Sequence, residues 1–267
     1  MDYFDRCTPH KKGLFALATI HAVEIPVRIP VGNDRISAVF HVPQPAEEEP
    51  FRAPCVIASH GLASSKESGK YRQLAEALAP RGIALLRFDF LGCGASTGRL
   101  LDTTVVGRLV QLRRVVRFLE AQPFFDGRIA LMGSSMGGFL SLLLAAEEPR
   151  VRAVVTWSSP ATLRAPETEE GRLRSWGLGD PYFEELGAPD APLDPPRGIG
   201  RVLVIHGSAD DVVPPSHAEA IFANSSEPKE LRIVPGGDHS MRPESARMEA
   251  IRATADWIER FIREESL

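Results

Sequence analysis

An α/β fold built on a mostly parallel, twisted sheet is predicted by three observations. Short runs that are apolar on both faces recur along the chain, helical stretches separate them, and a pair of strictly alternating segments precedes the first run. Runs of about four to eight residues with no polar face suit strands covered by helices on both sides, whereas strict alternation suits a strand with one wet face.

The elements follow in order. Val23, Ile25, Val27 and Ile29 alternate with polar residues or proline, Gly32-Asn33-Asp34 makes a turn, and Ile36, Ala38, Phe40 and Val42 resume the alternation, which predicts an N-terminal antiparallel hairpin. A Pro/Glu-rich link from Pro43 to Pro54 leads into the buried runs Cys55–Ser59, Ile83–Phe90, Arg128–Gly133, Val151–Ser158, Val202–His206 and Leu231–Val234. Between them lie the predicted helices Tyr71–Ala79, Val105–Ala121, Met136–Glu148 and Ser216–Ala223, with Glu244–Glu264 closing the chain. In the last, Met248, Ile251, Ala255, Ile258 and Ile262 recur at close to a 3.6-residue period. Only Pro160 to Gly200 breaks the rhythm, with Pro and Gly throughout and Trp176, Tyr182 and Phe183 among charges. Long stretches of this kind are usually functional, so residues 160–200 read as a small cap inserted into one domain spanning residues 1–267.

Composition narrows the function classes. With 43% hydrophobic and 25% charged residues, and 22 Gly and 22 Pro without period, the chain is neither disordered nor fibrous. Lys and Arg number 31 against 35 Asp and Glu, so no global attraction to nucleic acid or anionic lipid is expected. Cys7, Cys55 and Cys93 are odd in number and lack a C-x-x-C pair, which argues against a disulfide framework and a thiolate zinc site and for a reducing, cytoplasmic setting. Lys11 to Ile20 has two lysines before an apolar run, but acidic Asp2 and Asp5 precede it and no convincing cleavage site follows, so it is not read as an export signal. No apolar stretch approaches the ~20 residues that cross a bilayer.

The sharpest chemical signal is Gly133-Ser134-Ser135-Met136-Gly137, a G-x-S-x-G between a predicted strand and a predicted helix. A reversal this tight forces its central residue into strained angles, and the flanking glycines remove the side chains that would clash. Ser135 is therefore the candidate nucleophile. A serine hydroxyl needs an imidazole to take its proton and a carboxylate to hold that imidazole. Of the seven histidines, His239 alone lies in a Gly-rich loop after the last strand, able to return across the strand ends. The turn after Val202–His206 offers two adjacent carboxylates, Asp210 and Asp211, and spacing alone does not choose between them. Trp157, Trp176, Tyr182 and Phe183 are candidate linings of an acyl or aryl pocket, with core packing the competing reading for each. No H-E-x-x-H or H-x-H spacing supports a metal site.

Taken together, these segments resemble the α/β-hydrolase family over nearly the whole chain. The family's His-Gly-x-x-Asp-x-x-Val-Pro element matches His206 to Pro214, which selects Asp210 as the acid. Its His-Gly oxyanion loop matches Ser59-His60-Gly61-Leu62, which implies the backbone N–H groups of Leu62 and Met136 as oxyanion donors, with His60 structural. Asp89 to Ser96 resembles the family's Asp-x-Arg-Gly-x-Gly-x-Ser loop, with Leu91 in place of the arginine. His60-Gly61-Leu62, Ser64-Ser65-Lys66-Glu67 and Arg87-Phe88-Asp89-Phe90 resemble bacterial carboxylesterases of the cinnamoyl/feruloyl-esterase type. A serine rather than aspartate or cysteine at the elbow argues against dehalogenase and dienelactone chemistry. The implied function is a serine carboxylesterase acting on a small-molecule ester, with no cofactor. A thioesterase, peptidase or acyltransferase would use the same residues, and a non-catalytic ligand-binding or signalling protein could keep the scaffold. Monomer and homodimer are both open.

Overall fold

In the computed structural model, which describes residues 22–44, 51–164 and 170–264, eight strands form one sheet in the order β1-β2-β4-β3-β5-β6-β7-β8. Cys7, His10, His21, the Lys11–Ile20 stretch, part of the Pro43–Pro54 link, and Glu167 and Glu169 lie outside the described residues. β1 (Ala22–Val31) and β2 (Asp34–Pro43) are the expected antiparallel hairpin, turning at Gly32, whose φ of 57° favours glycine. β2 also pairs antiparallel with β4 (Ala84–Phe88). From there β3 (Ala53–Ser59), β5 (Phe125–Ser134), β6 (Val151–Trp157), β7 (Val202–Gly207) and β8 (Lys229–Val234) are all parallel to their neighbours.

Alternation along the central strands divides the core into two layers. Ile57, Leu86, Phe88 and Leu131 pack toward α2 (Val105–Glu120) and α3 (Met136–Ala145), while Val56, Leu85, Ala130 and Met132 pack toward α1 (Gly69–Leu78) and α7 (Glu244–Ile262). α6 (Ser216–Asn224) covers Val202 and Val204 beside α3. Both faces of the sheet are thus buried, which is why these strands lack an alternating polar pattern. Each fully buried Leu, Ile or Phe contributes on the order of 1.5–3 kcal/mol.

One expectation is refined and one corrected. The 160–200 segment contains two short helices, α4 (Glu170–Ser175) and α5 (Asp180–Leu186), the second opening with Pro181 in its first turn, a position that needs no N–H partner. In α7, Ile251, Ala255, Ile258 and Ile262 are buried as the period requires, but Met248 is 37% exposed. Ala250, Thr254, Trp257 and Phe261 complete the buried stripe instead.

The parallel strands end on one side of the sheet, and four candidate residues follow those ends directly: His60 after β3, Ser135 after β5, Asp210 in the turn after β7 and His239 in the loop after β8. Open parallel sheets place ligands outside these carboxyl ends.

Candidate active site

Ser135 stands between β5 and α3 at φ 54° and ψ −124°, a conformation L-residues rarely adopt and hold only when the surroundings enforce it. Its N–H donates to the Trp157 carbonyl at 2.8 Å, and its carbonyl accepts from Gly138 N–H at 2.9 Å. The flanking glycines are sterically required: a Cβ on Gly133 would sit 2.1 Å from the Gly137 carbonyl oxygen, and one on Gly137 would sit 2.2 Å from that of Ser59. Gly61 approaches so closely that an added Cβ would lie 3.2 Å from Ser135 Cβ. The G-x-S-x-G spacing therefore reflects three backbones converging on one serine.

The two adjacent carboxylates differ in burial. Asp210 is 7% exposed, while Asp211 is exposed. Asp210 Oδ1 accepts from Val212 N–H and Val213 N–H at 3.0 and 2.9 Å, and Oδ2 lies 3.0 Å from His239 Nδ1. Burial pushes the Asp210 carboxyl up, but hydrogen bonds from His206, His239 and Val213 outweigh it and hold the group far below the usual carboxylate range. The loops carrying acid and imidazole are stapled together, since Ala209 N–H donates to Gly237 O at 2.9 Å and Gly236 N–H donates to Ser208 Oγ at 2.9 Å. No hydrogen bond joins Ser135 Oγ to His239 among the described residues, and contacts of this kind commonly tighten only with substrate bound.

His60 is structural, as expected. Its Nδ1–H donates to Gly61 O at 2.7 Å, its Nε2 accepts from Phe90 N–H at 3.0 Å, and burial, aided by Arg108, pushes its pKa down to about 3. Cys93 is buried and its thiol is pushed up by that burial, which fits no nucleophile. Asp89, whose loop lacks the expected arginine, is satisfied instead by Lys66, through its backbone N–H at 2.6 Å and Nζ at 2.7 Å. Among the described residues no three His, Cys, Asp or Glu side chains gather to hold a metal ion.

A cavity of about 300 Å³ opens beside Ser135. Leu62 and Met136 line it, and among the described residues neither of their N–H groups has a hydrogen-bond partner. Leu163, Leu173, Trp176, Tyr182 and Leu186 supply an apolar wall from the 160–200 segment. Two of the four aromatic candidates are corrected. Trp157 is fully buried on the α7 face of the sheet, its Nε1 donating to Thr254 Oγ1 at 2.9 Å, and Phe183 lies outside the lining, edge-on to Tyr182 with the Arg174 guanidinium 4.2 Å from its ring centre.

Sequence reasoning missed Val212, Val213, Pro214 and His217, which line the cavity from the turn and helix after Asp210. Proximity to the acid was the available signal for the first three. His217 Nδ1 accepts from Ala161 N–H at 3.0 Å, a long-range contact that no local pattern announces.

A mostly parallel eight-stranded sheet carrying a serine on a strained strand-to-helix turn defines a hydrolase of the α/β type. Comparison with known proteins agrees. The family model for serine aminopeptidase, S33, matches residues 52–178. Rv2307c of Mycobacterium tuberculosis is 31% identical over 218 residues, covering 80% of this chain and 71% of that protein. The 20-hydroxy-prefusarin hydrolase FUS2 of Gibberella moniliformis is 31% identical over 166 residues, covering 60% of this chain and 38% of that one. Est1E of Butyrivibrio proteoclasticus, solved with ferulic acid bound, superposes with a TM-score of 0.67 at 20% identity over 89% of this chain and 100% of its own, a likeness of fold. The chain belongs to the α/β-hydrolase family of serine hydrolases.

Proposed function

We propose that the protein is a serine carboxylesterase for short-chain or aryl esters. The observation that carries this reading is the placing of Ser135, at positive φ, on the wall of an apolar cavity that Leu62 and Met136, whose N–H groups have no partner among the described residues, also line. In this mechanism Ser135 Oγ attacks the ester carbonyl as His239 Nε2 takes its proton, and Asp210 stabilises the imidazolium through Nδ1–H. The tetrahedral oxyanion is received by Leu62 and Met136 N–H, donors worth about 3–4 kcal/mol each in comparable sites. His239 then protonates the leaving alcohol, and water, activated by the same imidazole, hydrolyses the acyl-enzyme. The groups named complete the cycle without a cofactor. Residues 160–200 act as a cap over the acyl pocket of a single domain, and the protein works in the cytoplasm on a small-molecule ester, as monomer or homodimer.

An aminopeptidase reading draws on the name of the matching family model. The described lining residues include Arg164, Arg172 and His217 but no carboxylate to anchor a substrate ammonium, which favours the ester. Turnover of a p-nitrophenyl ester series, beside thioesters and aminoacyl p-nitroanilides, tests the choice. Ester hydrolysis that peaks at short or aryl acyl groups and disappears in Ser135→Ala supports the carboxylesterase, and faster turnover of the anilides overturns it.

A further inference from the structure

Arg108 is an arginine within the apolar stripe of α2, 1% exposed, on the same helix face as Val105 and Leu112. Its Nη1 donates to Gly61 O at 3.3 Å and its Nη2 to Leu62 O at 3.0 Å, and Nη2 also lies 3.4 Å from Cys93 Sγ. The guanidinium sits 4.8 Å from the Phe90 ring centre, and its Nε is buried without a partner. Among the described residues no carboxylate forms an ion pair with it. Two other buried cations are treated differently: Arg87, equally buried, pairs with Glu24 and Glu67, and Lys66 pairs with Asp89, while the buried Lys70 donates to Ser134 Oγ at 2.7 Å. A buried cation without a counter-ion is costly and therefore calls for a reason.

The geometry of the peptide supplies one. The Gly61–Leu62 peptide is trans, so its C=O and N–H point in opposite directions. Gly61 O is held on one side by Arg108 Nη1 and His60 Nδ1–H, which directs the Leu62 N–H to the other. Donation to the carbonyl also polarises the amide and strengthens its N–H as a donor. Leu62 lines the cavity beside Ser135, and its own carbonyl is tied to the same guanidinium.

We propose that Arg108 is a positioning residue for the oxyanion loop: it clamps two successive carbonyls so that Leu62 N–H faces the reacting carbonyl oxygen, and it leaves an uncompensated positive charge behind the site where negative charge develops. The role rests on the esterase reading above. Ground-state substrate carries no oxyanion, so the effect falls on kcat and on transition-state analogues and spares KM.

The test compares wild type, Arg108→Gln and Arg108→Lys for ester hydrolysis, melting temperature, and inhibition by an alkyl trifluoromethyl ketone, whose serine adduct carries an oxyanion. Arg108→Gln is expected to lose about 100-fold in kcat with KM within about threefold, and to bind the ketone correspondingly more weakly. Arg108→Lys keeps the charge but not the two-pronged donor, and is expected to retain about tenfold more activity than the glutamine variant while remaining below wild type. If Arg108→Gln does not fold, Arg108→Lys alone decides, with an expected loss of about tenfold in both kcat and ketone affinity. A lowered melting temperature with kcat and ketone affinity within threefold of wild type in the folded variants overturns the role and leaves Arg108 as packing. Wild-type protein inert to both ester and ketone would instead remove the esterase reading, and the Arg108 role with it.

Discussion

His206 Nε2 and His239 Nδ1 approach the same oxygen, Asp210 Oδ2, at 3.1 and 3.0 Å. His206 Nε2 is also 2.8 Å from Val213 O, a pure acceptor, so that nitrogen carries the proton and His206 is a donor on the buried side of the carboxylate. Asp210 is thus anchored by His206 and, from the turn, by two backbone N–H groups, and its fully buried carboxylate orients His239 through Nδ1. Asp210→Asn is expected to leave the fold in place but reverse the hydrogen bond that fixes the imidazole tautomer. A loss of about 10⁴ in kcat, with KM little changed, is the outcome to look for in steady-state kinetics.

Acid stability follows from two histidines that burial keeps neutral. Desolvation first, then Arg108, pushes His60 down to about 3, and desolvation first, then Arg87, pushes His41 to about 4. Both titrate near ~6.5 when unfolded. Between that value and the lowered one the unfolded chain binds more protons, so stability falls as pH drops through the window. Asp210, depressed below its unfolded value of ~3.9, contributes fully above that pH and loses its contribution only below it. Melting temperature should therefore fall between about pH 6.5 and 4, with a shallower slope in His41→Gln, and a flat profile over that range would contradict neutral burial.

The elbow glycines are expected to be intolerant of a single methyl. In Gly137→Ala the new Cβ would collide with the Ser59 backbone, whereas in Gly171→Ala, on α4, it would meet nothing within 4 Å. Melting temperature and soluble yield should drop sharply for the first, which is destabilised by about 1–3 kcal/mol or more, and stay near wild type for the second.

The two tryptophans should separate pocket from core. Trp157→Ala removes a fully buried side chain and its hydrogen bond to Thr254, and should cost about 3–5 kcal/mol in denaturant unfolding. Trp176→Ala opens the cavity wall and should shift the acyl-chain profile toward bulkier esters at little cost in stability.

The contrast between those residues shows what was legible in the chain. Strands and helices were readable because burial on both faces leaves a distinct signature, and their ends fall within a few residues of expectation. Ser135 and His239 stood out as candidates because each sits in a loop whose glycines are dictated by backbone approach, whereas Asp210 was preferred to Asp211 only through the family resemblance. Trp157 was left open between pocket and core although strand parity held the answer: Ala153, Val155 and Trp157 share the face that packs on α7. Arg108 also carried a signal, an arginine at i+3 from Val105 in an otherwise apolar stripe. The cavity wall was only partly readable, because α4 and α5 are short, polar outside and shaped by contacts distant in sequence, such as the Leu163 N–H bond to Leu193 O.

The central claim is that Ser135 is the nucleophile, and covalent labelling by a fluorophosphonate, mapped by peptide mass spectrometry on the folded protein, tests it most directly. The expected result is one stoichiometric adduct on Ser135, absent in Ser135→Ala and formed far more slowly in His239→Ala. Folded wild-type protein that takes no label, or takes it on another residue while Ser135→Ala still hydrolyses esters, would contradict it.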